Sequence, residues 1–480
     1  MPFPDANDAL HASRRQFLAD CGIGLGKIGA ASLLAGSAFG AARRHDPSPT
    51  DPRPPHFAPR AKAVIHLFMG GAPSQLDLFD PKPQLTRFEG KPLPPSIIGD
   101  QRYAFILPDA AVLGPQFPFA QHGASGAVLG SPLKHLASVA DELCIVRSMH
   151  TDQFNHAPAQ LLMNSGFSQP GRPSMGSWAI YGLGAESREL PAFVAMSTGS
   201  GLSAGSALWS SGFLPKTFDG VRLRNGKDPI LNLGTPERFA ADGMQDETFA
   251  LVAELDRQRA EALADPAITA RIQSLEMAAQ LQTSAPELLD LRSEGQATLD
   301  LYGCDPDKPS FARACLLARR MIERGVRFVN IFHEGWDAHS NVKGSTLRNC
   351  AATDRACAAL VQDLKRRGML DETLVVCGGE FGRTPMVETN PALGRSQGRD
   401  HHPQAFTIWM AGGGVRAGYT HGATDEFGFH IVEKPVHVYD LQATILHLLG
   451  LDHERLTFRH AGRDFRLTDV HGNVVRELLA

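Results

Sequence analysis

Short, nearly continuous apolar runs recur between residues 63 and 410, and each is bounded by polar or glycine-rich segments. Runs of this kind are typical of strands that are covered on both faces of a parallel sheet. The predicted strands are Ala63–Met69, Leu143–Met149, Phe193–Met196, Arg327–Phe332, Thr373–Cys377 and Ala405–Met410.

Helical periodicity separates these runs. The predicted helices are Pro158–Asn164, Asp246–Ala264, Ala267–Leu281, Pro286–Leu301, Phe311–Arg324, Thr346–Arg367 and His437–Leu449. Alternation of strand and helix predicts an α/β fold with a doubly wound, mostly parallel sheet and helices on both faces. Residues 198–301 are first loop-rich and then helical, and they are predicted to form an insertion.

The N-terminus carries the string SRRQFL at residues 13–18, followed by a mildly apolar, small-residue stretch from Cys21 to Gly40. This pattern resembles a twin-arginine signal peptide, which we assign to residues 1–42. An ordinary basic start before a glycine- and alanine-rich helix is the alternative. The proline-rich residues 43–60 are interpreted as a linker and residues 61–480 as a single domain. We therefore expect export by the twin-arginine machinery to the periplasm or the extracellular space.

Charge and composition exclude several classes of protein. The 47 Lys and Arg residues are balanced by 51 Asp and Glu residues, which gives no support to a nucleic-acid surface or a polybasic membrane anchor. No apolar stretch reaches the length of about 18 residues that a permanent membrane span needs. Haem, dinucleotide and iron–sulfur motifs are also missing from the sequence, which argues against an exported redox protein.

Polar clusters adjoin five of the strand positions. Four of them follow a strand, at residues 70–80, 150–156, 333–341 and 378–384, and the fifth, at residues 398–403, leads into the sixth strand. In open α/β sheets, ligands bind at the carboxyl ends of the strands. Carboxylates and imidazoles together predict a divalent metal such as Zn²⁺, Mn²⁺, Fe²⁺ or Ca²⁺.

Spacing within these clusters indicates individual ligands. Asp337 and His339 are two residues apart, so in an extended segment they point to the same side and can share one ion. Asp400 beside His401 and His402 predicts a further ligand, or a carboxylate that holds a ligand imidazole. Arg383 follows a glycine-rich turn and is predicted to clamp two oxygens of a phosphate or sulfate.

Several longer strings carry a family resemblance. They are GGAPSQLDLFDPKP (70–83), HTDQFNHAPAQLLMNSG (150–166), HEGWDAHSN (333–341), GGEFGRTP (378–385), GRDHHPQAFTIWMAGGG (398–414), ATDEFGF (423–429) and HVYDLQATILHLLGLDHERLTFRHAGRDFRLTDVHG (437–472). From about residue 60 to the C-terminus, the chain resembles the domain-of-unknown-function 1501 family, exported bacterial proteins related to sulfatases. The resemblance implies the alkaline phosphatase superfamily fold, whose members hydrolyse phosphate and sulfate esters with a metal-activated nucleophile at a helix N-terminus.

The resemblance also implies metal ligands. Asp77 matches the first metal-binding Asp, with Ser74 and Asp80 as competitors. Asp337 and His339 resemble the Asp and His of one metal site, although the phosphatases space them four apart. Either His401 or His402 resembles the metal-binding His near the end of the domain.

Catalytic positions depart from the family pattern. His156 stands where sulfatases carry Cys or Ser, so no formylglycine can form. Glu380 and Phe381 fall where the superfamily has Asp-His, so one ligand is missing. Arg383 would stabilise an anionic transition state, and Glu380 would be a ligand or a general base.

Three interpretations of His156 remain open at this point. It could be a metal ligand beside a metal-activated water, part of an inactive site, or itself the nucleophile, with the hydroxyls of Ser74 and Thr151 as alternatives. The sequence thus predicts a metal-dependent hydrolase acting on an anionic ester, such as that of a sulfated glycan. The alternative is an inactive sulfatase-like envelope protein that binds a sulfated or phosphorylated glycan or a protein partner.

Overall fold

The computed structural model describes residues 48–480 apart from 100–102, 104–105, 108, 200–201, 227–228, 231–243 and 264–265. Residues 49–480 form one compact unit. The predicted signal peptide at residues 1–42 lies outside the described residues, as does the first part of the predicted linker, residues 43–47. The rest of that segment bonds to the domain, since the Arg60 and His56 amides donate to the carbonyls of Leu448 and Gly450.

Strands are numbered here along the chain. They are β1 (Ala63–Gly70), β2 (Phe119–His122), β3 (Ala127–Gly130), β4 (Leu143–His150), β5 (Phe193–Thr198), β6 (Val221–Arg224), β7 (Phe328–Glu334), β8 (Thr373–Gly378), β9 (Gly382–Asn390), β10 (Arg395–His402), β11 (Phe406–Ala411), β12 (Tyr419–His421), β13 (Ala423–Thr424), β14 (Ile431–Glu433), β15 (Val436–His437), β16 (Phe458–His460) and β17 (Arg463–Phe465).

The α-helices are numbered in the same way. They are α1 (Gln75–Leu78), α2 (Pro83–Arg87), α3 (Pro95–Ile98), α4 (His156–Ser165), α5 (Met175–Leu183), α6 (Met244–Leu263), α7 (Pro266–Leu289), α8 (Gln296–Tyr302), α9 (Phe311–Glu323), α10 (Val342–Arg366) and α11 (Val438–Leu448). Among the described residues, none of these helices combines the length and the apolar character that crossing a bilayer requires.

The central sheet has nine strands within the described residues, in the order β12-β4-β11-β8-β1-β7-β5-β6, with β15 also paired to β4. All its pairings are parallel except those of β11, which runs antiparallel to both β4 and β8. The predicted mostly parallel α/β sheet is therefore confirmed. The antiparallel β11 was not predicted, because a strand buried on both faces shows the same apolar run in either direction.

Two hydrophobic cores flank the sheet. Alternate residues of β1 divide between them, since Ile65 and Leu67 enter one core while Val64 and Phe68 enter the other. The first core takes helices α9 and α10, and the second takes α4, α5 and α11. Side chains alternate across a strand, so a run that is apolar at every position needs cover on both sides.

A hairpin of β9 and β10 leaves the sheet immediately after β8. The two strands pair antiparallel, with Arg383 opposite His401 and Gly382 opposite His402. The sequence indicated only a glycine-rich turn and a polar loop here. The hairpin carries Arg383, Glu388 and His401 over the carboxyl ends of β1 and β7, where they meet the loops that follow those strands.

The predicted insertion is divided between two structures. Its first part supplies β6, the edge strand of the sheet, and its second part supplies the paired helices α6 and α7. Helix α7 runs through Pro286, where the sequence predicted a break between two helices.

Candidate metal centre

The loop after β7 is fixed by the start of α10. Gly335 adopts a φ of 115°, and the Asn349 side chain donates to its carbonyl at 2.7 Å. Asn341 caps α10 by accepting from the Gly344 amide at 3.0 Å. Asp337 and His339 lie between these two anchors, so their positions depend on both the strand and the helix.

His156 is the first residue of α4 and follows β4 across a short loop. Its Nδ1 lies 2.8 Å from Oε1 of Glu380, which lies two residues after the end of β8. Glu380 is fully buried and also accepts from the Gly71 amide at 3.1 Å and from Gln160 Nε2 at 3.1 Å. This carboxylate therefore orients His156 and is enclosed by donors.

The other two imidazoles are held in the same manner. Nδ1 of His401, on β10, donates to the carbonyl of Phe154 at 2.7 Å. Nδ1 of His339 contacts Oε2 of Glu388, a fully buried residue of β9 whose Oε1 pairs with Arg395 at 2.5 Å. Each of the three rings thus has an oxygen acceptor at Nδ1.

All three imidazoles present Nε2 to one carboxylate oxygen. Oδ1 of Asp337 lies 3.2 Å from Nε2 of His156, 3.0 Å from that of His339 and 3.3 Å from that of His401. In the neutral form of each ring, the acceptor at Nδ1 holds the proton on that nitrogen, which leaves the lone pair of Nε2 directed at the Asp337 oxygen and free to bind a cation between them. Nε2 of His156 is buried and has no hydrogen-bond partner.

This donor set fits a metal ion. Ligand atoms of His156, Asp337, His339 and His401 all lie within 4.8 Å of one another. Tetrahedral coordination with bonds of about 2.0–2.1 Å separates neighbouring ligand atoms by about 3.3–3.4 Å, close to the separations above. Three imidazoles and a carboxylate suit Zn²⁺, Mn²⁺ or Fe²⁺, whereas Ca²⁺ takes six to eight oxygen ligands.

The charge around the centre also favours a cation. Four carboxylates surround it, from Asp337, Glu380, Glu388 and Asp400, and the last of these lies within 4.8 Å of His339 and Glu388. Two guanidinium groups, those of Arg383 and Arg395, oppose them. Two negative charges remain when these carboxylates and guanidinium groups are ionised and the imidazoles are neutral, and a divalent ion would balance them.

The pKa values of the imidazoles show what the carboxylates do to them. Burial lowers the pKa of His156, but the neighbouring carboxylates of Asp337 and Glu380 outweigh it and raise the pKa to about 9. Burial lowers the pKa of His401 to about 4, despite the nearby Asp337 carboxylate. Burial would raise the pKa of Asp337, yet the three imidazoles and Arg383 hold it well below its usual range.

Arg383 is engaged with the protein. Its guanidinium is fully buried and donates to the carbonyls of Gly71, of Ala72 at 3.1 Å and of Arg399 at 3.0 Å. Its Nη2 also lies 2.6 Å from Asp337 Oδ1. Arg383 was predicted to bind two oxygens of a substrate anion, but most of its N–H groups already donate to the protein. The geometry therefore gives Arg383 the role of positioning Asp337.

Asp77 lies outside this cluster. Its two carboxylate oxygens accept from Arg399 at 2.9 and 3.2 Å, and both side chains are fully buried. Ser74 Oγ also donates to Asp77 at 2.6 Å. The structure thus places the predicted metal ligand Asp77 in a buried ion pair, because the hairpin brings Arg399 directly against α1.

His402 also faces away from the centre. Its Nδ1 lies 2.9 Å from the Tyr103 hydroxyl and its Nε2 lies 2.7 Å from the Phe429 carbonyl. Adjacent residues of a strand point to opposite faces, so only one of His401 and His402 can reach the cluster. The register of β10 selects His401.

One feature of the site was not predicted. Glu388 lies against His339, and the only sequence signal for this contact is a carboxylate within the strand-like run before Asn390. Phe381, for which the resemblance predicted the loss of a ligand imidazole, packs its ring 5.1 Å from that of His156 and 4.4 Å from that of His401. Phe381 therefore packs against both imidazoles. Thr151 lies outside the described cluster and accepts from the Gln153 amide at 3.4 Å.

Comparison with solved structures finds several distant likenesses. The lipoteichoic acid synthase LtaP from Listeria monocytogenes is 10% identical over 87% of this chain and 78% of that one, with a TM-score of 0.37. A TAB5 alkaline phosphatase mutant with bound Mg is 10% identical over 82% and 99%, with a TM-score of 0.35. The PsFucS1 sulfatase from Pseudoalteromonas sp. is 12% identical over 82% and 69%, with a TM-score of 0.34.

Comparison by sequence is more specific. No curated protein matches the chain at a significant level. One family, described as "Protein of unknown function (DUF1501)", matches residues 61–479. That match spans nearly the whole described domain and includes every residue of the metal cluster. The chain therefore belongs to the DUF1501 family.

Proposed function

We propose that this protein is an exported, metal-dependent hydrolase of phosphate or sulfate esters. The observation that carries the proposal is the convergence of three imidazole Nε2 atoms on one Asp337 oxygen, with every Nδ1 held by an acceptor. Outer carboxylates that fix the tautomer of ligand imidazoles are a regular feature of metal sites.

Exposure favours a catalytic over a structural ion. Closed structural sites bury all their ligands, whereas catalytic sites keep one side open. The Asp337 side chain is 41% exposed, while those of His339 and His401 are 11% and 7% exposed. The candidate centre is therefore open to solvent on the side of Asp337.

The start of α4 supplies a place for the substrate anion. Asn155 at the N-cap makes no side-chain hydrogen bond to the first turn, and the third helical residue, Pro158, has no N–H. The amides of His156 and Ala157 therefore lie at the positive end of the helix beside the ion site. A phosphate or sulfate oxygen can accept from them.

The side chains around the centre are proposed to have different roles. A divalent ion at the centre would polarise an ester oxygen and lower the pKa of a water molecule. Arg383 would hold Asp337 in place, and Glu380 and Glu388 would keep His156 and His339 oriented toward the ion. Both ring nitrogens of His156 face carboxylates, which favours a ligand role over direct attack on phosphorus or sulfur.

Elemental analysis of protein purified after native export tests the proposal, with the Asp337→Ala/His339→Ala double variant as control. We expect about one equivalent of transition metal in the wild type and none in the control. Turnover of 4-nitrophenyl phosphate or sulfate by the metal-loaded wild type alone completes the test. A folded wild type without metal would refute it, and binding of sulfated glycan without turnover would favour the inactive envelope protein.

Export is tested separately, because residues 1–47 lie outside the described residues. Changing Arg14 and Arg15 together to Lys should retain the protein in the cytoplasm if the twin-arginine route carries it. Cell fractionation with an antibody against the mature domain is the measurement. Unchanged export of this variant would refute the assigned route and leave the metal centre unaffected.

A further inference from the structure

A residue with an exposed aromatic ring is bonded through its backbone to the candidate metal centre. Phe154 is 51% exposed, and it is the one aromatic residue among the large hydrophobic side chains that are exposed in the described part of the chain. It lies in the loop from β4 to α4, two residues before the ligand His156. An apolar ring left in water next to a reactive centre is a candidate contact for a ligand.

The backbone of this loop is tied down on both sides. The Phe154 carbonyl accepts from His401 Nδ1 at 2.7 Å, so Phe154 sits one imidazole ring away from the metal-facing Nε2. The Thr151 amide donates to the Pro403 carbonyl at 2.9 Å, and the Asn155 carbonyl accepts from the Ala159 amide at 3.0 Å. The ring is therefore carried by fixed backbone, and its exposure follows from that position.

We infer that Phe154 determines substrate specificity by packing against an apolar ring face in the alcohol part of the ester. This inference rests on the proposed function. The anionic group of the substrate would bind the ion and the amides at the start of α4. A ring joined to that group through one ester oxygen would extend toward Phe154. Aromatic side chains bind flat apolar faces by offset stacking or edge contacts.

The role of the Phe154 ring can be tested separately from the role of its backbone carbonyl. His401 is held by the carbonyl of Phe154, so Phe154→Ala removes the ring and keeps the acceptor. Leu251→Ala is the matched control, because Leu251 is 57% exposed on α6, which contributes no residue to the centre. The probes are phenylphosphonate, cyclohexylphosphonate and methylphosphonate, which resist hydrolysis and share one anionic group.

Binding is measured by calorimetry on the metal-loaded full domain. We expect wild type and Leu251→Ala to bind phenylphosphonate more tightly than methylphosphonate, and Phe154→Ala to lose about fivefold in affinity for phenylphosphonate and none for methylphosphonate. Metal content should stay the same in all three proteins. If Phe154→Ala loses as much affinity for cyclohexylphosphonate as for phenylphosphonate, Phe154 binds any apolar ring. If it loses less affinity for cyclohexylphosphonate, Phe154 prefers aromatic rings.

Two outcomes would overturn the inference. One is an unchanged preference for the phenyl compound in Phe154→Ala, and the other is equal binding of phenyl and methyl compounds by the wild type. Failure of the hydrolase proposal looks different: no ester is turned over, yet the ring preference and its loss in Phe154→Ala persist. Binding thus tests the specificity residue, and turnover tests the activity.

Discussion

Glu380 offers the sharpest test of how the metal ligands are positioned. Replacement by Gln keeps the shape of the side chain and exchanges one acceptor oxygen for an NH₂ donor. Within the described residues, the hydrogen-bond partners of this carboxylate are all donors: His156 Nδ1 at 2.8 Å, the Gly71 amide at 3.1 Å and Gln160 Nε2 at 3.1 Å. The new NH₂ group must therefore face at least one donor.

Burial sets the size of the effect. Glu380 is fully buried, so water cannot relieve the donor–donor contact. Mutation of an outer partner of a ligand imidazole costs about 10- to 100-fold in metal affinity. We expect the upper end, about 100-fold or about 2.7 kcal/mol, because the carboxylate charge that favours a positive centre is lost as well.

Competition against a fluorescent Zn²⁺ chelator measures this affinity directly. Glu372→Gln is the matched control, since Glu372 is a half-exposed partner of Lys62 on the protein surface. Unfolding in the presence of excess chelator checks that the variant still folds. If Glu380→Gln binds Zn²⁺ within about threefold of wild type, His156 does not depend on Glu380, and the proposed coordination is wrong.

Three further predictions separate structural from ligand roles. Asp77→Asn should lower the free energy of unfolding by about 3–5 kcal/mol, because it leaves the buried Arg399 guanidinium without its counter-charge. The metal content per folded molecule should stay unchanged. Loss of metal without loss of stability would instead make Asp77 a ligand. His401→Gln should abolish metal binding and His402→Gln should preserve it, as elemental analysis of the two variants will show; the reverse result would place β10 in the wrong register. With its pKa raised to about 9, His156 is protonated at pH 8 before metal binds. Metal binding should therefore release about one proton, and the metal affinity should increase as the pH rises toward 9. Calorimetry in buffers of different ionisation enthalpy measures the proton release, and a binding heat that does not vary with the buffer would contradict it.

The pattern of apolar runs was sufficient for the main frame of the fold. Six strands and their order along the chain follow from it, because each strand is buried on both faces and so shows a continuous apolar run. Direction was not predictable for β11, since burial on both faces looks the same in a parallel and an antiparallel strand. The β9–β10 hairpin was missed because its residues alternate between the cluster and the protein interior, so no apolar run marks it.

The candidate site was also predicted only in part. The position of polar clusters at strand ends and the short spacing within them indicated His156, Asp337, His339 and His401, and the structure brings these four residues together. The same reasoning proposed Asp77, which looks like a ligand in sequence and differs only in what it faces. A carboxylate beside a strand end can meet an ion or a guanidinium, and local sequence does not distinguish these partners.

The sequence by itself determined the layered α/β frame, the edge of the sheet where polar side chains collect, and residue types suited to a divalent ion. Tertiary structure alone decided which of these residues share one centre. The hairpin placed Arg399 against Asp77, turned His401 inward and His402 outward, and brought Glu388 to His339. These choices depend on strand register and on contacts between segments distant in the chain, and a change of one residue in register would reverse the face of every side chain.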